Sequence, residues 1–88
     1  MKMIVAILKD DDTDAVSRAF GEMGLTATRV ASTGGFLRQG KSTLMVGVED
    51  SNVDQAIQLI NNNCAPTVEP FLRRATIFVL NVEYFEQL

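Results

Sequence analysis

Ser32-Thr33-Gly34-Gly35-Phe36-Leu37-Arg38-Gln39-Gly40-Lys41-Ser42-Thr43 is the stretch whose reading decides the fold. From Gly35 it spells glycine, four residues, then Gly40-Lys41-Ser42, which is the spacing of a phosphate-binding loop. A loop of that kind joins a strand to a helix, so that the helix N-terminus faces the phosphates. Here both flanks read as strands. Leu25 to Ser32 is rich in threonine and β-branched residues, and Thr43-Leu44-Met45-Val46-Gly47-Val48 is an apolar run closed by the acidic pair Glu49-Asp50. The stretch is therefore read as a hairpin loop. Its composition points to a ligand even so: Gly34 and Gly35 let the backbone approach a bound molecule, and Phe36 and Leu37 occupy positions where a turn normally takes polar residues. Arg38 and Lys41 add cations and Ser42 and Thr43 add hydroxyls, a set suited to an anionic, ring-containing ligand.

Outward from the loop, the strand before it carries Leu25, Ala27, Arg29 and Ala31 on one side and Thr26, Thr28, Val30 and Ser32 on the other. In the strand after it, Gly47 interrupts the apolar run, which marks either a bulge, a close approach to the backbone, or tight packing of a helix on the sheet. Met3 to Leu8 has no alternation and reads as a central strand buried on both faces. The aspartates Asp10, Asp11 and Asp12 offer N-caps for a helix expected to start near Asp12 or Thr13, with Asp14 adding negative charge to its first turn. Ala15, Val16, Ala19, Phe20 and Met23 form its apolar stripe, and Gly24 ends it. Three consecutive carboxylates lack the alternate spacing of a calcium loop, so capping accounts for them better than a metal. A second helix is expected from an N-cap at Ser51, with Asp54 as capping-box partner, a stripe of Val53, Ala56, Ile57 and Ile60, and fraying at Asn61 to Asn63. After the short Ala65 to Pro70 connection, Leu72 to Val82 returns as a strand around Ala75 to Leu80.

The resulting order, β-α-β-β-α-β, fits an α+β ferredoxin-like sandwich, an antiparallel sheet with two helices on one face, over a single domain spanning residues 1–88. The other sheet face is left uncovered and apolar, a natural place for subunits to pack. A chain of 88 residues that is 47% hydrophobic gains from such assembly, since a domain this small buries only about two-thirds of its unfolded surface. The formal charge of -3 argues against DNA or RNA as a partner, because phosphate neutralisation needs a clustered basic field. Cys64 is alone and there is no histidine, which leaves neither a disulfide, a zinc site nor a Cys-His dyad, and Cys64 is read as a half-buried thiol. No nucleophile stands beside a base, so the sequence points to binding and not to an enzyme, with no cofactor expected. The apolar opening run is too short to insert in a membrane and ends in charge, which implies a cytoplasmic protein.

Several separated blocks resemble one known family. They are Met1-Lys2-Met3-Ile4, Ala27-Thr28, Ala31-Ser32-Thr33-Gly34-Gly35-Phe36-Leu37-Arg38, Gly47-Val48-Glu49-Asp50, Ala75-Thr76-Ile77-Phe78-Val79 and the ending Phe85-Glu86-Gln87-Leu88. In that order they are similar to the PII-like cyclic-di-AMP receptor proteins, bacterial signal-transduction proteins. The resemblance implies a homotrimer that binds the dinucleotide in clefts between subunits and then presents rearranged loops to a protein partner, whose identity the sequence does not give. It implies adenine packing by Phe36 and Leu37, ligand contacts by Thr28 and the Gly47 backbone, and a pocket completed by Phe78 and Gln87. Gly35, Arg38 and Lys41 belong to the same expected ligand set on the loop chemistry above. Two departures stand out: Thr26 and Lys41 replace an arginine and an asparagine common in such receptors, and only Asn63 to Leu72 connects the second helix to the last strand where relatives have a long loop. Arg73 and Arg74 are read as a solvated strand edge. The alternative is a PII-like trimer that has lost its nucleotide and serves as a protein-interaction or structural module.

Overall fold

The strand β1 (Lys2–Lys9) runs directly into helix α1 (Asp10–Glu22), and the remaining elements are β2 (Thr28–Ala31), β3 (Lys41–Val48), a 3-10 turn (Asp50–Asn52), α2 (Val53–Asn63) and β4 (Ala75–Asn81). A computed structural model describes residues 1–31, 40–64, 75–83 and 86. The four strands form one sheet in the order β2-β3-β1-β4, with every pairing antiparallel. This is the expected ferredoxin-like α+β arrangement of four antiparallel strands and two helices. Lys41 and Ser42 open a strand and no helix follows Gly40, so the phosphate-loop spacing occurs without the helix that gives it its chemistry.

Alternation decides which side of the sheet the helices cover. Ile4, Ala6 and Leu8 of β1 and Ser42, Leu44, Val46 and Val48 of β3 are buried under the helices, where they meet Val16 and Phe20 of α1 and Ala56 and Ile60 of α2. Met3, Val5 and Ile7 point to the other face and are half-buried. β1 is thus central, as expected, but burial on both faces is a correction: Met3, Val5 and Ile7 stay half-buried, and among the described residues no helix or strand lies over its outer side. Cys64, expected to be half-buried, is buried at the end of α2.

Several local expectations also change, each for an identifiable reason. α1 starts at Asp10, two or three residues earlier than expected, and no side chain caps it. Its aspartates fill the first turn, where the helix dipole favours negative charge, while the Thr13 hydroxyl donates to the Lys9 carbonyl at 3.0 Å. Gly24 does end the helix, at φ 80°, with Leu25 N–H donating to Phe20 O and Gly24 N–H to Gly21 O, the paired bonds of a Schellman motif. Because Leu25 is spent on that turn and Leu25 and Ala27 pack against the core, β2 begins only at Thr28. Ser51 lies inside the 3-10 turn and caps nothing, since the chain tightens there before α2 begins at Val53. The asparagines do not fray α2: Asn63 Nδ2 donates to the Leu59 carbonyl at 2.8 Å and Gln58 Nε2 to Asn62 Oδ1 at 2.9 Å. Residues 71 to 74, including Arg73 and Arg74, lie outside the described part of the expected last strand.

Candidate functional site

The sheet face away from the helices, uncovered by any helix or strand among the described residues, is organised in rows set by strand register. One row runs Thr28, Met45, Val5, Phe78; on one side of it lies Gly47, Met3, Leu80, and on the other Val30, Thr43, Ile7, Thr76. The cross-strand pair Lys9 and Lys41 closes the face at the end where β2 and β3 lead into and out of residues 32–39. The face therefore grades from cations and hydroxyls at the loop end to apolar side chains at the other. Val30, Phe78 and Leu80 are exposed on it, at 43%, 51% and 52%.

Thr28, Lys41, Gly47 and Phe78, expected from the sequence to meet a ligand, all fall on this one face. Thr28 and Gly47 are diagonal neighbours across the β2–β3 ladder, an arrangement that sets side chains about 7–8 Å apart. Lys41 is six residues from Gly47 along β3, or about 20 Å at the strand rise. Phe78 shares a row with Thr28 but sits on the opposite edge strand, three inter-strand spacings or about 14 Å away. One chain thus pairs Thr28 with Gly47 and keeps Phe78 and Lys41 apart from them. Gly35, Phe36, Leu37, Arg38 and Gln87 lie outside the described residues.

Gly47 pairs with Met3 in an unbroken β1–β3 ladder, so the bulge reading is corrected, and it faces away from the helices, so helix packing does not explain it either. What approaches it is Met1: a Cβ built on Gly47 would lie 2.6 Å from Met1 Cε. The Met1 amino group is 3.0 Å from Asp50 Oδ1 and donates the hydrogen bond that holds the Asp50 carboxyl below its ordinary range.

Beneath the loop end, on the helix side of the sheet, is a polar cluster the sequence reading did not assemble. Arg29 of β2 places Nη1 2.8 Å from Asp14 Oδ1 and Nη2 3.3 Å from Ser42 Oγ and 3.7 Å from Asp10 Oδ1. The buried Ser42 hydroxyl donates to Asp10, and the Asp10 N–H donates to Gly40 O at 2.8 Å. The last turn of β2, the first residues of β3 and the start of α1 are thereby tied together at the points where the chain enters and leaves residues 32–39. The available signal was Arg29 itself, a cation on the strand side otherwise occupied by Leu25, Ala27 and Ala31. Asp10 and Asp14 are employed in this cluster, and among the described residues no group of three or more ligating side chains is arranged to hold a metal ion.

Comparison with known proteins bears on this arrangement. The profile of the family described as cyclic-di-AMP receptor matches residues 1–69, from β1 through α2, a span that includes Thr28, the glycine loop and Gly47 and ends before β4. Among solved structures, the crystal structure of a functionally unknown protein from Pediococcus pentosaceus ATCC 25745 is similar at a TM-score of 0.77 and 30% sequence identity, over 99% of this chain and 96% of that one. No helix among the described residues is long and apolar enough to cross a membrane.

Proposed function

The chain belongs to the cyclic-di-AMP receptor family, and on that premise we propose that it is a PII-like signal-transduction protein that binds cyclic-di-AMP or a related nucleotide in clefts between the subunits of a cytoplasmic homotrimer. The observation that carries the inter-subunit reading is the position of Thr28 and Phe78 on opposite edge strands of one row. A pocket using both draws Thr28, with its diagonal neighbour Gly47, from one chain and Phe78 from the next. Apolar character of the shared face supports the same assembly. Strands of four, eight, eight and seven residues, about 4.8 Å apart, give a face of roughly 430 Å² in projection, to be compared with about 800 Å² per partner in a standard interface. Phe36 and Leu37 supply the adenine platform, with Gly35, Arg38 and Lys41 beside it, and Gln87 joins Phe78 in closing the pocket.

The mode of action is recognition and not turnover. Ligand in the cleft fixes the loop between β2 and β3, and the altered surface is what a protein partner reads. Subunit mixing tests the proposal. Variants Thr28→Trp and Phe78→Ala, prepared separately, each lose dinucleotide binding. Unfolded, mixed in equal amounts and refolded, they regain it at about a quarter of the clefts, those that pair an intact Thr28 with an intact Phe78. Recovery of no sites from the mixture, with each variant still assembling, would refute a pocket shared between chains.

A further inference from the structure

Lys9 and Lys41 are directly opposed across the β1–β3 ladder, and both point to the uncovered face at the loop end. Like charges at directly opposed positions repel and weaken a sheet, so their placement calls for something that offsets it. Neither lysine has an ion-pair partner among the described residues. The nearest carboxylate in sequence, Asp10, is turned to the other side of the sheet, where it is held by Ser42 and Arg29. Asp11 is exposed and forms no ion pair with either lysine. Hydroxyls continue the surface inward: Thr43 follows two residues after Lys41 on the same face, and Thr76 lies in its row.

We propose that Lys9 and Lys41 together form a phosphate site, with Lys9 as a specificity-determining residue for the phosphodiester of the bound nucleotide. This rests on the receptor reading above and names the partner that makes Lys41 effective. A single ammonium is a point charge and does not fork around a phosphate, but two ammonium groups from adjacent strands address two of its oxygens. The Thr43 hydroxyl is placed to add a neutral donor. The pair also sets ligand class: it favours a ligand with phosphate between its rings over a nucleoside of equal aromatic area.

Stability and affinity move in opposite directions under this arrangement, which separates it from a structural role. In Lys9→Gln and Lys41→Gln the unliganded protein gains about 1–4 °C in Tm as the repulsion is removed, while affinity for cyclic-di-AMP by calorimetry falls about tenfold. Lys9→Arg, which keeps the charge, restores the affinity. Raising salt from 0.05 to 0.5 M, chosen to shorten screening to a few ångströms, weakens binding by the wild type more than by either variant. If the wild type binds cyclic-di-AMP and Lys9→Gln binds it equally well at low salt, the lysine pair is not a phosphate site and the receptor reading stands. If the wild type binds no cyclic dinucleotide, the receptor reading and this inference both fall.

Discussion

Replacing Leu80 probes whether the uncovered sheet face is a subunit interface without touching an expected ligand contact. Leu80 sits in the row of Met3 and Gly47 and is 52% exposed in the single chain. Fully burying a leucine side chain is worth about 1.5–3 kcal/mol, so the half that is covered by neighbouring strands puts the cost of Leu80→Ala in an isolated subunit near 1 kcal/mol. Covered by a second chain, the same side chain becomes a core residue, and truncation then costs about 2–5 kcal/mol. Leu80→Asp sharpens the contrast. In a monomer the aspartate stays in water and costs little beyond the Leu80→Ala figure of about 1 kcal/mol, whereas an unpaired carboxylate inside an apolar interface is not tolerated. Multi-angle light scattering and thermal melts at two protein concentrations read the outcome. The wild type is expected at three times the subunit mass with a Tm that rises with concentration, and Leu80→Asp at the subunit mass with a concentration-independent Tm. A Leu80→Asp protein of unchanged mass, or a Leu80→Ala cost near 1 kcal/mol in a protein that is nevertheless trimeric, would show that the chains associate through some other surface.

Three further outcomes follow from individual residues. Gly21→Ala and Gly24→Ala introduce the same methyl group into open space, yet have opposite signs: Gly21 is in the last helical turn, where alanine gains up to about 1 kcal/mol, and Gly24 at φ 80° is a position where it costs about 1–2 kcal/mol. Denaturant midpoints of the two variants should move apart by that sum. Arg29→Ala removes ion pairs to two largely exposed carboxylates, Asp14 and Asp10, and a contact to the buried Ser42, which retains Asp10 as partner, so stability should fall by only about 1 kcal/mol; a double-mutant cycle with Asp14→Asn giving more than about 2 kcal/mol of coupling contradicts this. Phe36→Ala should weaken cyclic-di-AMP binding about tenfold or more, as loss of a stacked base requires, and an unaltered affinity removes Phe36 from the pocket.

The fold was legible because its decisive choice, strand or helix after Gly40, is written locally: Thr43 to Val48 is a short apolar run closed by Glu49-Asp50, too short for a helix, and as a strand it buries Leu44, Val46 and Val48 on one side. What was not legible depends on contacts between distant residues. Asp10 to Asp12 look like caps, but Asp10 is claimed by Ser42, thirty-two residues away, and the chain passes from β1 into α1 without a capping turn. Asn61 to Asn63 look like a helix end, but side-chain bonds to the preceding turn keep them helical. Gly47 left a bulge, a close approach and helix packing open, and the register decides among them: its free side faces Met1 on the face away from the helices. The residues expected to meet a ligand are only a list in the sequence, and their relative placement is not written there. Only the strand order puts Thr28 and Phe78 on opposite edges, and only the β1–β3 register sets Lys9 against Lys41.

Calorimetric titration of the purified protein with cyclic-di-AMP, run beside other cyclic dinucleotides and ATP, tests the central claim most directly. The receptor reading predicts saturable heat with cyclic-di-AMP or a related nucleotide at one ligand per subunit, as clefts between identical chains require. Absence of heat for every nucleotide at high micromolar concentration, from a protein that is folded and assembled, would contradict it.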